Sequence, residues 1–202
     1  TISGCENDGA VSAEDARGEA FEIIVGGIVG NSRSSTIIRN CCNTGAVSAQ
    51  DAEKAYAGGV MGQSINTTLS CCYNTGAVSV QNVVEANLGG LVGQSSEDTA
   101  VSSCYNTGAV SAKDAEYANL GGVVGENRSG AVTNCYNTGA VSGGANTGGV
   151  VGFNSQGTVG SCYNTGETHA AAWGSGAYGG HAGCTSKRRT PERSNTGTNR
   201  RA

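Results

Sequence analysis

Large side chains and proline are scarce in this 202-residue sequence, which has one proline and only 5% aromatic residues. A conventional globular core is built on large side chains, so their scarcity argues against that class of fold. Charged residues are also few, at 14%, and they are mixed with valine and isoleucine, unlike the composition typical of disordered chains. Glycine is abundant, with 34 copies. We therefore expect small side chains that pack in regular layers.

The sequence also lacks an initiator methionine, a basic-then-apolar leader and a membrane-spanning run. Its longest apolar window, 21–29, contains Glu22 and two glycines and is much shorter than the roughly 20 residues that a span requires. We expect no membrane span. We also expect a mature, trimmed or excerpted chain whose targeting signal lies outside it.

Two short signatures alternate along the chain. One is Gly-Gly-apolar-apolar-Gly, which begins at positions 26, 58, 89, 121 and 148 and has a degenerate copy at 179–183. The other is an asparagine two residues before a glycine. Its asparagines are Asn7, Asn43, Asn74, Asn106, Asn137, Asn164 and Asn195. Self-similarity at a period of about 31 residues indicates a repeat array.

The repeat predicts an all-β fold, a parallel β-solenoid of about six coils with about 31 residues each. Each repeat supplies three short β-rich pieces broken by glycine. The solenoid is predicted for 1–183, and a degenerate final half-repeat with a basic tail for 184–202. The segment before each Gly-Gly varies in length, which is typical of a surface loop. It opens with a serine three residues before an acid, as in Ser12 and Asp15, so we expect a single helical turn there.

The repeated asparagine is predicted to mark one corner of each coil. Stacked asparagine amides can hydrogen-bond along a ladder and satisfy polar groups that a tight bend buries. We expect the glycine two residues later to supply the positive φ of that bend. These roles are structural.

Four tyrosines occupy the position before this asparagine in successive repeats, and they are predicted to stack along one face. Such a stack either stabilises the coils or binds a sugar or peptide, and we favour the stabilising role. The tyrosines are Tyr73, Tyr105, Tyr136 and Tyr163.

Six of the nine cysteines recur at one place in the repeat. A row of free, buried thiols and a set of disulfides between adjacent coils both fit this spacing, and we favour the free thiols. Cys42 and Cys71 lie beside the row and are the candidate disulfide, whereas Cys184 is left over as a free or intermolecular thiol. The row comprises Cys5, Cys41, Cys72, Cys104, Cys135 and Cys162.

No catalytic, metal or cofactor site is predicted. Asp15, Asp51 and Asp114 share one repeat position, which is compatible with Ca²⁺, but the intervening repeat has Asn82 there. Solvated acids are the preferred interpretation. The two histidines stand alone, and no Ser-His-Asp or paired-carboxylate pattern stands out.

Charge is divided between the two ends of the chain. Residues 1–22 carry a net charge of −5 and residues 185–202 a net charge of +5. We expect these ends to associate head to tail, unless the basic end is only a flexible, anion-binding extension. The candidate assembly residues are Glu6, Asp8, Glu14, Asp15, Arg188, Arg189, Arg193, Arg200 and Arg201.

The pentapeptide Gly-Gly-Leu-Val-Gly at 89–93 and its copies resemble the GLUG-motif repeats of bacterial surface proteins, which include adhesin-like chains and some immunoglobulin A peptidases. The resemblance implies an extracellular, right-handed β-helix that serves as a stalk or presenting surface. In the peptidases the chemistry lies in a separate zinc domain, and no His-Glu-x-x-His occurs here.

Three functions follow as hypotheses. The first is a non-enzymatic, extracellular structural repeat protein that assembles with itself, head to tail, into a surface filament. The second is an adhesin-type module that binds a glycan or host protein through the tyrosine face. The third, an enzyme, needs a cleft that regular coils do not supply. None of the three involves a cofactor or nucleic acid.

Overall fold

Every regular element in the computed structural model is a β-strand, and every strand pair is parallel. The structure describes residues 1–14, 21–170, 178–179, 182–185 and 199–201. Three sheets contain six strands and the fourth contains ten. The predicted all-β parallel solenoid is therefore confirmed. In the described ranges no helix is long and apolar enough to span a membrane.

Each coil passes through four sheets in turn, which we call A to D. Sheet A consists of Ile2–Ser3, Thr36–Arg39, Thr67–Ser70, Ala100–Ser102, Ala131–Thr133 and Thr158–Gly160. Sheet B consists of Glu6–Asn7, Cys42–Asn43, Tyr73–Asn74, Tyr105–Asn106, Tyr136–Asn137 and Tyr163–Asn164. Sheet C consists of Val11–Glu14, Glu22–Gly26, Val47–Gly58, Val78–Gly89, Val110–Gly121, Val141–Ser142, Asn146–Gly148, Thr168–Ala170, Tyr178–Gly179 and Asn199–Arg201. Sheet D consists of Val29–Ser32, Met61–Ile65, Val92–Ser96, Val124–Asn127, Val151–Asn154 and Ala182–Thr185.

Equivalent residues of successive coils are paired in register. Leu69 pairs with Ile38 on one side and with Val101 on the other. Neighbouring strands in a sheet lie about 4.8 Å apart, so each repeat position becomes a column of side chains along the solenoid axis. A residue type that recurs in the sequence therefore recurs as a physical stack.

The predicted helical turn is wrong, because the segment after each Asn-x-Gly continues as a strand of sheet C. Residues 47–58 form one strand of 12 residues that pairs with Val78–Gly89. Val47 and Ala49 are buried with the two-residue period of a strand. Pairing with the neighbouring coil supplies the backbone hydrogen bonds that a helical turn would otherwise provide.

Length variation is accommodated in the middle of this sheet C segment. The first coil has two strands there, Val11–Glu14 and Glu22–Gly26, and both pair with Val47–Gly58. The fifth coil, which is shorter, also has two, Val141–Ser142 and Asn146–Gly148. The three coils between them have one continuous strand. Instead of a surface loop, this segment is part of sheet C. Its strand is divided into two in the coils that are longer or shorter than the others.

Two apolar clusters fill the interior. One contains the repeated cysteines and the aliphatic pair that follows each Gly-Gly, such as Leu91 and Val92. The other lies under sheet C and contains residues such as Val78 and Leu88. Most of the side chains in both clusters are small or medium-sized, which explains how a sequence poor in aromatic residues builds a core.

The prediction that the Asn-x-Gly glycine has a positive φ is wrong. Among the described glycines, positive φ is confined to Gly4 and Gly143. The left-handed corner instead lies one residue before the repeated cysteine. Its residues are Asn40, Cys71, Ser103, Asn134 and Ser161, with φ between 52° and 54°.

Glycine is required after the asparagine because the coils approach each other closely there. A Cβ on Gly108 would lie 2.0 Å from the carbonyl oxygen of Gly76, and Gly139 meets Gly108 in the same way. The constraint is contact between backbones and not the local bend.

The C-terminal part of the chain continues the same register where it is described. Strand Ala182–Thr185 pairs with Val151–Asn154, and the predicted boundary between residues 183 and 184 falls inside it. Strand Asn199–Arg201 pairs with Thr168–Ala170. The remainder of 184–202 lies outside the described residues.

Replacing Gly108 with alanine is expected to lower the free energy of unfolding by at least about 2 kcal/mol, because the added methyl group forces two coils apart. Chemical denaturation followed by circular dichroism measures this loss. The matched control is Gly160→Ala, since a Cβ on Gly160 has no atom within 4 Å, and we expect a change within about 0.5 kcal/mol. Equal losses in the two variants would contradict the backbone-contact explanation.

Candidate functional site

The repeated asparagines form a continuous hydrogen-bonded ladder. The Nδ2 of each asparagine donates to the Oδ1 of the next at 2.7 or 2.8 Å. The same Nδ2 also donates to the carbonyl of the following glycine, as from Asn106 to Gly108 at 2.7 Å. Asn195 lies outside the described residues. The six asparagines in the ladder are Asn7, Asn43, Asn74, Asn106, Asn137 and Asn164.

The second glycine of each Gly-Gly pair packs against this ladder. A Cβ on Gly90 would lie 2.3 Å from Cγ of Asn106, and one on Gly122 would lie 2.3 Å from Cγ of Asn137. Side chains do not approach so closely, so any residue larger than glycine would displace the asparagine. The two sequence signatures therefore recur together because they touch. Sequence reasoning missed this contact, although the constant alternation of the signatures was a signal of it.

The four predicted tyrosines form one stack on the outside of sheet B. Successive ring centroids are 5.0 Å apart and the ring planes differ by 4° or 5°. Tyr163 is 44% exposed, and the other three are partly buried. Since inner rings cover one another's faces, they present mainly edges and hydroxyl groups to solvent. We call this surface the tyrosine face.

The tyrosine column continues into Cys42 and then Glu6. Cys42 is in register with Tyr73 on one side and with Glu6 on the other. A hydrogen bond with Cys42 raises the pKa of Tyr73 to about 12. Tyr73 therefore carries a neutral phenol at physiological pH.

The six repeated cysteines are free thiols, and all except Cys5 are buried. The backbone N–H of Cys72 donates to Sγ of Cys104 at 3.3 Å, and the Cys104 thiol donates to the carbonyl of Ser102 at 3.0 Å. Hydrogen bonding to Cys135 raises the pKa of Cys104, and burial adds to the effect. The same hydrogen bond lowers the pKa of Cys135, so the protonation states of the row are coupled. The row fills one apolar cluster with free thiols.

The two cysteines of the candidate disulfide are free in this structure, Cys42 buried and Cys71 exposed. Cys71 occupies the left-handed corner, with φ 53°. Cys42 lies in the tyrosine column. The bridge between them stays a prediction. Cys184 lies in strand Ala182–Thr185, opposite Phe153.

The candidate assembly residues of the acidic end belong to the first coil, where Glu6, Asp8 and Glu14 are all exposed. Arg200 and Arg201 lie in strand Asn199–Arg201, which continues sheet C. Four others lie outside the described residues, namely Asp15, Arg188, Arg189 and Arg193.

In the part of the chain that the structure describes, no group of three histidine, cysteine or acidic side chains is placed to hold a metal ion. Asp51, Asn82 and Asp114 are stacked at a left-handed position in sheet C, with φ between 53° and 55°. Asn82 Nδ2 donates to Asp51 Oδ1 at 3.1 Å. This column adopts a backbone conformation that asparagine and aspartate tolerate better than most residues.

A polar pocket of about 250 Å³ opens where sheet C meets sheet D, and sequence reasoning missed it. Its floor carries Glu126, a buried carboxylate whose Oε2 accepts hydrogen bonds from Asn87 Nδ2 at 2.8 Å and Gln94 Nε2 at 2.7 Å. Its Oε1 accepts one from Arg128 Nε at 3.0 Å. The lining residues are Lys54, Tyr56, Glu85, Ala86, Asn87, Tyr117, Asn119, Glu126 and Arg128.

A signal for this pocket was present in the sequence, because its columns break the repeat. Residues Lys54, Glu85 and Tyr117 occupy one column with three different chemistries. Gln94 and Glu126 are neighbours in another column. The fold accepts different residue types at these positions, whereas Asn87 and Asn119 of the same lining form a uniform column.

The comparison with protein families gives one match, in which the model described as the GLUG motif matches residues 116–142. This chain carries the GLUG motif. The match confirms the resemblance predicted from the sequence. The GLUG segment runs through one coil, from sheet C at Glu116, past the Gly-Gly pair, Glu126 and Tyr136, to Ser142. No curated protein and no solved structure matches the chain.

Replacing Asn106 with aspartate is expected to lower the free energy of unfolding at neutral pH by at least about 3 kcal/mol. The variant loses both donated bonds and faces two carbonyl-type oxygens with a buried charge. Protonation restores one donor and removes the charge, so the loss shrinks as the pH falls below the raised pKa of the buried carboxyl. Denaturation at neutral and acidic pH measures both effects.

Asn134→Asp is the matched control for this substitution, since Asn134 is exposed in the adjacent coil. We expect little change in stability and no gain on acidification. A similar response of the two variants would show that the ladder contributes nothing specific.

Proposed function

We propose that this chain is an extracellular, non-enzymatic structural solenoid that assembles with itself head to tail into a surface filament. The observation that carries the proposal is the outer edge of the first coil. Its strands, such as Ile2–Ser3 and Val29–Ser32, pair on one side only among the described residues. An edge of this kind is a template for a strand from another chain.

The asparagine ladder gives this edge a direction. In the later coils, the asparagine Oδ1 accepts from the coil before it, as Asn43 accepts from Asn7. Among the described residues Asn7 Oδ1 has no donor. The Oδ1 of Asn7 can therefore accept a hydrogen bond from the Nδ2 of an asparagine in another copy of the chain. Joining two copies head to tail would continue the ladder without a new contact type.

Charge supports the same polarity. The first coil exposes Glu6, Asp8 and Glu14 beside the open edge, and residues 185–202 carry a net charge of +5. Unlike ends attract, whereas two acidic ends repel and two basic ends repel. This arrangement favours an open chain of copies over a closed dimer. The resemblance to GLUG repeats of bacterial surface proteins supports an extracellular setting.

At high protein and low salt concentration, the wild-type chain is expected to form filaments that negative-stain microscopy detects and that high salt disperses. The triple variant Glu6→Gln, Asp8→Asn, Glu14→Gln is expected to remain monomeric by analytical ultracentrifugation, because the acidic end is neutralised.

The control for filament formation neutralises three exposed acids away from the edge, Glu97→Gln, Asp98→Asn and Asp114→Asn, and changes the net charge equally. We expect it to assemble like the wild type. A strictly monomeric wild-type chain under these conditions would overturn the proposal.

A second candidate function rests on the tyrosine face, which we infer to be an adhesin-type surface for a glycan or host protein. The supporting observation is a row of four phenols with a regular 5.0 Å spacing on an exposed side of the solenoid. Such a row suits an extended partner that lies along the axis. Phenols provide apolar ring edges and hydrogen-bonding hydroxyls together.

The double variant Tyr105→Ala, Tyr136→Ala is expected to abolish retention on immobilised mucin and host-surface glycoproteins, measured by surface plasmon resonance. Its circular dichroism should stay that of a β-solenoid. The companion variant Tyr105→Phe, Tyr136→Phe keeps the rings and separates their contribution from that of the hydroxyls. Binding by the alanine variant at the wild-type level would exclude the tyrosine face.

A further inference from the structure

The polar pocket between sheets C and D is distinct from both the open edge and the tyrosine face. Three successive coils contribute to it, through Lys54, Glu85 and Tyr117 in one column. The Asn7-to-Asn164 ladder and the cysteine row do not line it, whereas Asn87 and Asn119 of the lining belong to a second amide column, in which Asn119 Nδ2 donates to Asn87 Oδ1 at 2.8 Å. The side chains of Lys54, Glu85 and Tyr117 are partly exposed at the opening, where a ligand can contact them.

The ionic groups in the pocket balance one another. Lys54 Nζ lies 2.8 Å from Glu85 Oε2, and Arg128 Nε lies 3.0 Å from Glu126 Oε1. Two cations and two carboxylates give the lining a formal charge of zero. Glu22 at Tyr56 and Glu116 at Tyr117 add negative charge around it. An anionic ligand would find no unpaired cation and two further carboxylates, so the site favours a neutral one.

Hydrogen-bonding capacity remains after these pairs have formed. The guanidinium of Arg128 uses Nε for Glu126, and its side chain is 57% exposed, which leaves donors toward solvent. The Glu85 side chain is 53% exposed, and its carboxylate offers acceptors. Donors and acceptors therefore alternate around the opening, which suits a ligand with several hydroxyl groups.

Two tyrosines supply the apolar part of the pocket. Tyr117 is 62% exposed and Tyr56 is partly buried. An aromatic ring accommodates an apolar C–H surface while its hydroxyl hydrogen-bonds. The cavity of about 250 Å³ lies below the roughly 300–1,000 Å³ of pockets for drug-sized ligands. It therefore fits one ring and not several.

We propose that this pocket binds a neutral monosaccharide unit, either free or as the terminal sugar of a glycan. The ring hydroxyls bond to Arg128 and to the carboxylates, and the C–H face of the sugar packs on Tyr117. The inference does not depend on filament formation, because all the lining residues belong to one chain.

The test is isothermal titration of the monomeric chain at high salt with D-glucose, D-galactose, D-mannose and N-acetyl-D-glucosamine, and with D-glucuronate and inorganic phosphate as anionic probes. We expect at least one neutral sugar to bind, and the two anions to bind more weakly or not at all. Removing one charged hydrogen-bond partner by Glu85→Gln or the ring by Tyr117→Ala is expected to weaken binding about tenfold.

Ile37→Ala is the control, since it removes an exposed apolar side chain of sheet A that lies outside both the pocket and the tyrosine face, and its affinity should equal that of the wild type. Three results would overturn the proposal: no neutral sugar binds, an anion binds more tightly than every neutral sugar, or Tyr117→Ala binds as well as Ile37→Ala. These results leave the filament proposal untouched, since that proposal is measured by assembly at low salt.

Discussion

The contact between an asparagine amide and a glycine of the preceding coil is the constraint on which the architecture depends. Asn106 bonds to its neighbours above and below, and Gly90 leaves room for it only because Gly90 has no side chain. The buried amide has every donor used, at 2.7 and 2.8 Å. An unsatisfied polar group at this depth would cost about 1–3 kcal/mol. The asparagine ladder and the glycine contact therefore require each other, and both recur in each coil.

The asparagine ladder fixes the register between successive coils. This register separates the repeat positions that build the fold from those that line the pocket. When Asn137 stacks on Asn106, every other position in the coil stacks on its equivalent, so tyrosines meet tyrosines and thiols meet thiols. Uniform columns stabilise the solenoid by repetition. Columns that change chemistry from coil to coil, as at Lys54, Glu85 and Tyr117, add little to that repetition.

Much of the fold was predictable from the sequence because periodicity converts directly into stacking. The parallel β-solenoid followed from the spacing of the two signatures. The conformation between the signatures did not, because Ser48 and Asp51 carry a local helix-start pattern that pairing with the next coil overrides. The role of Gly108 was also missed, since the atom that excludes a side chain belongs to Gly76, 32 residues earlier. Rules based on neighbouring residues predict the conformation of a bend, but they do not predict a contact between residues of different coils.

The GLUG segment spans about one coil, which is enough sequence for the motif to be identified. One coil alone, however, lacks the contacts that stabilise it. Residues 116–142 include a Gly-Gly pair, the left-handed corner at Asn134 and the ladder amide of Asn137. Each of these makes its decisive contact with an adjacent coil, as Gly122 does with Gly149. A single coil leaves its backbone groups unpaired on both edges. The motif therefore acquires its structure from the coils on either side of it.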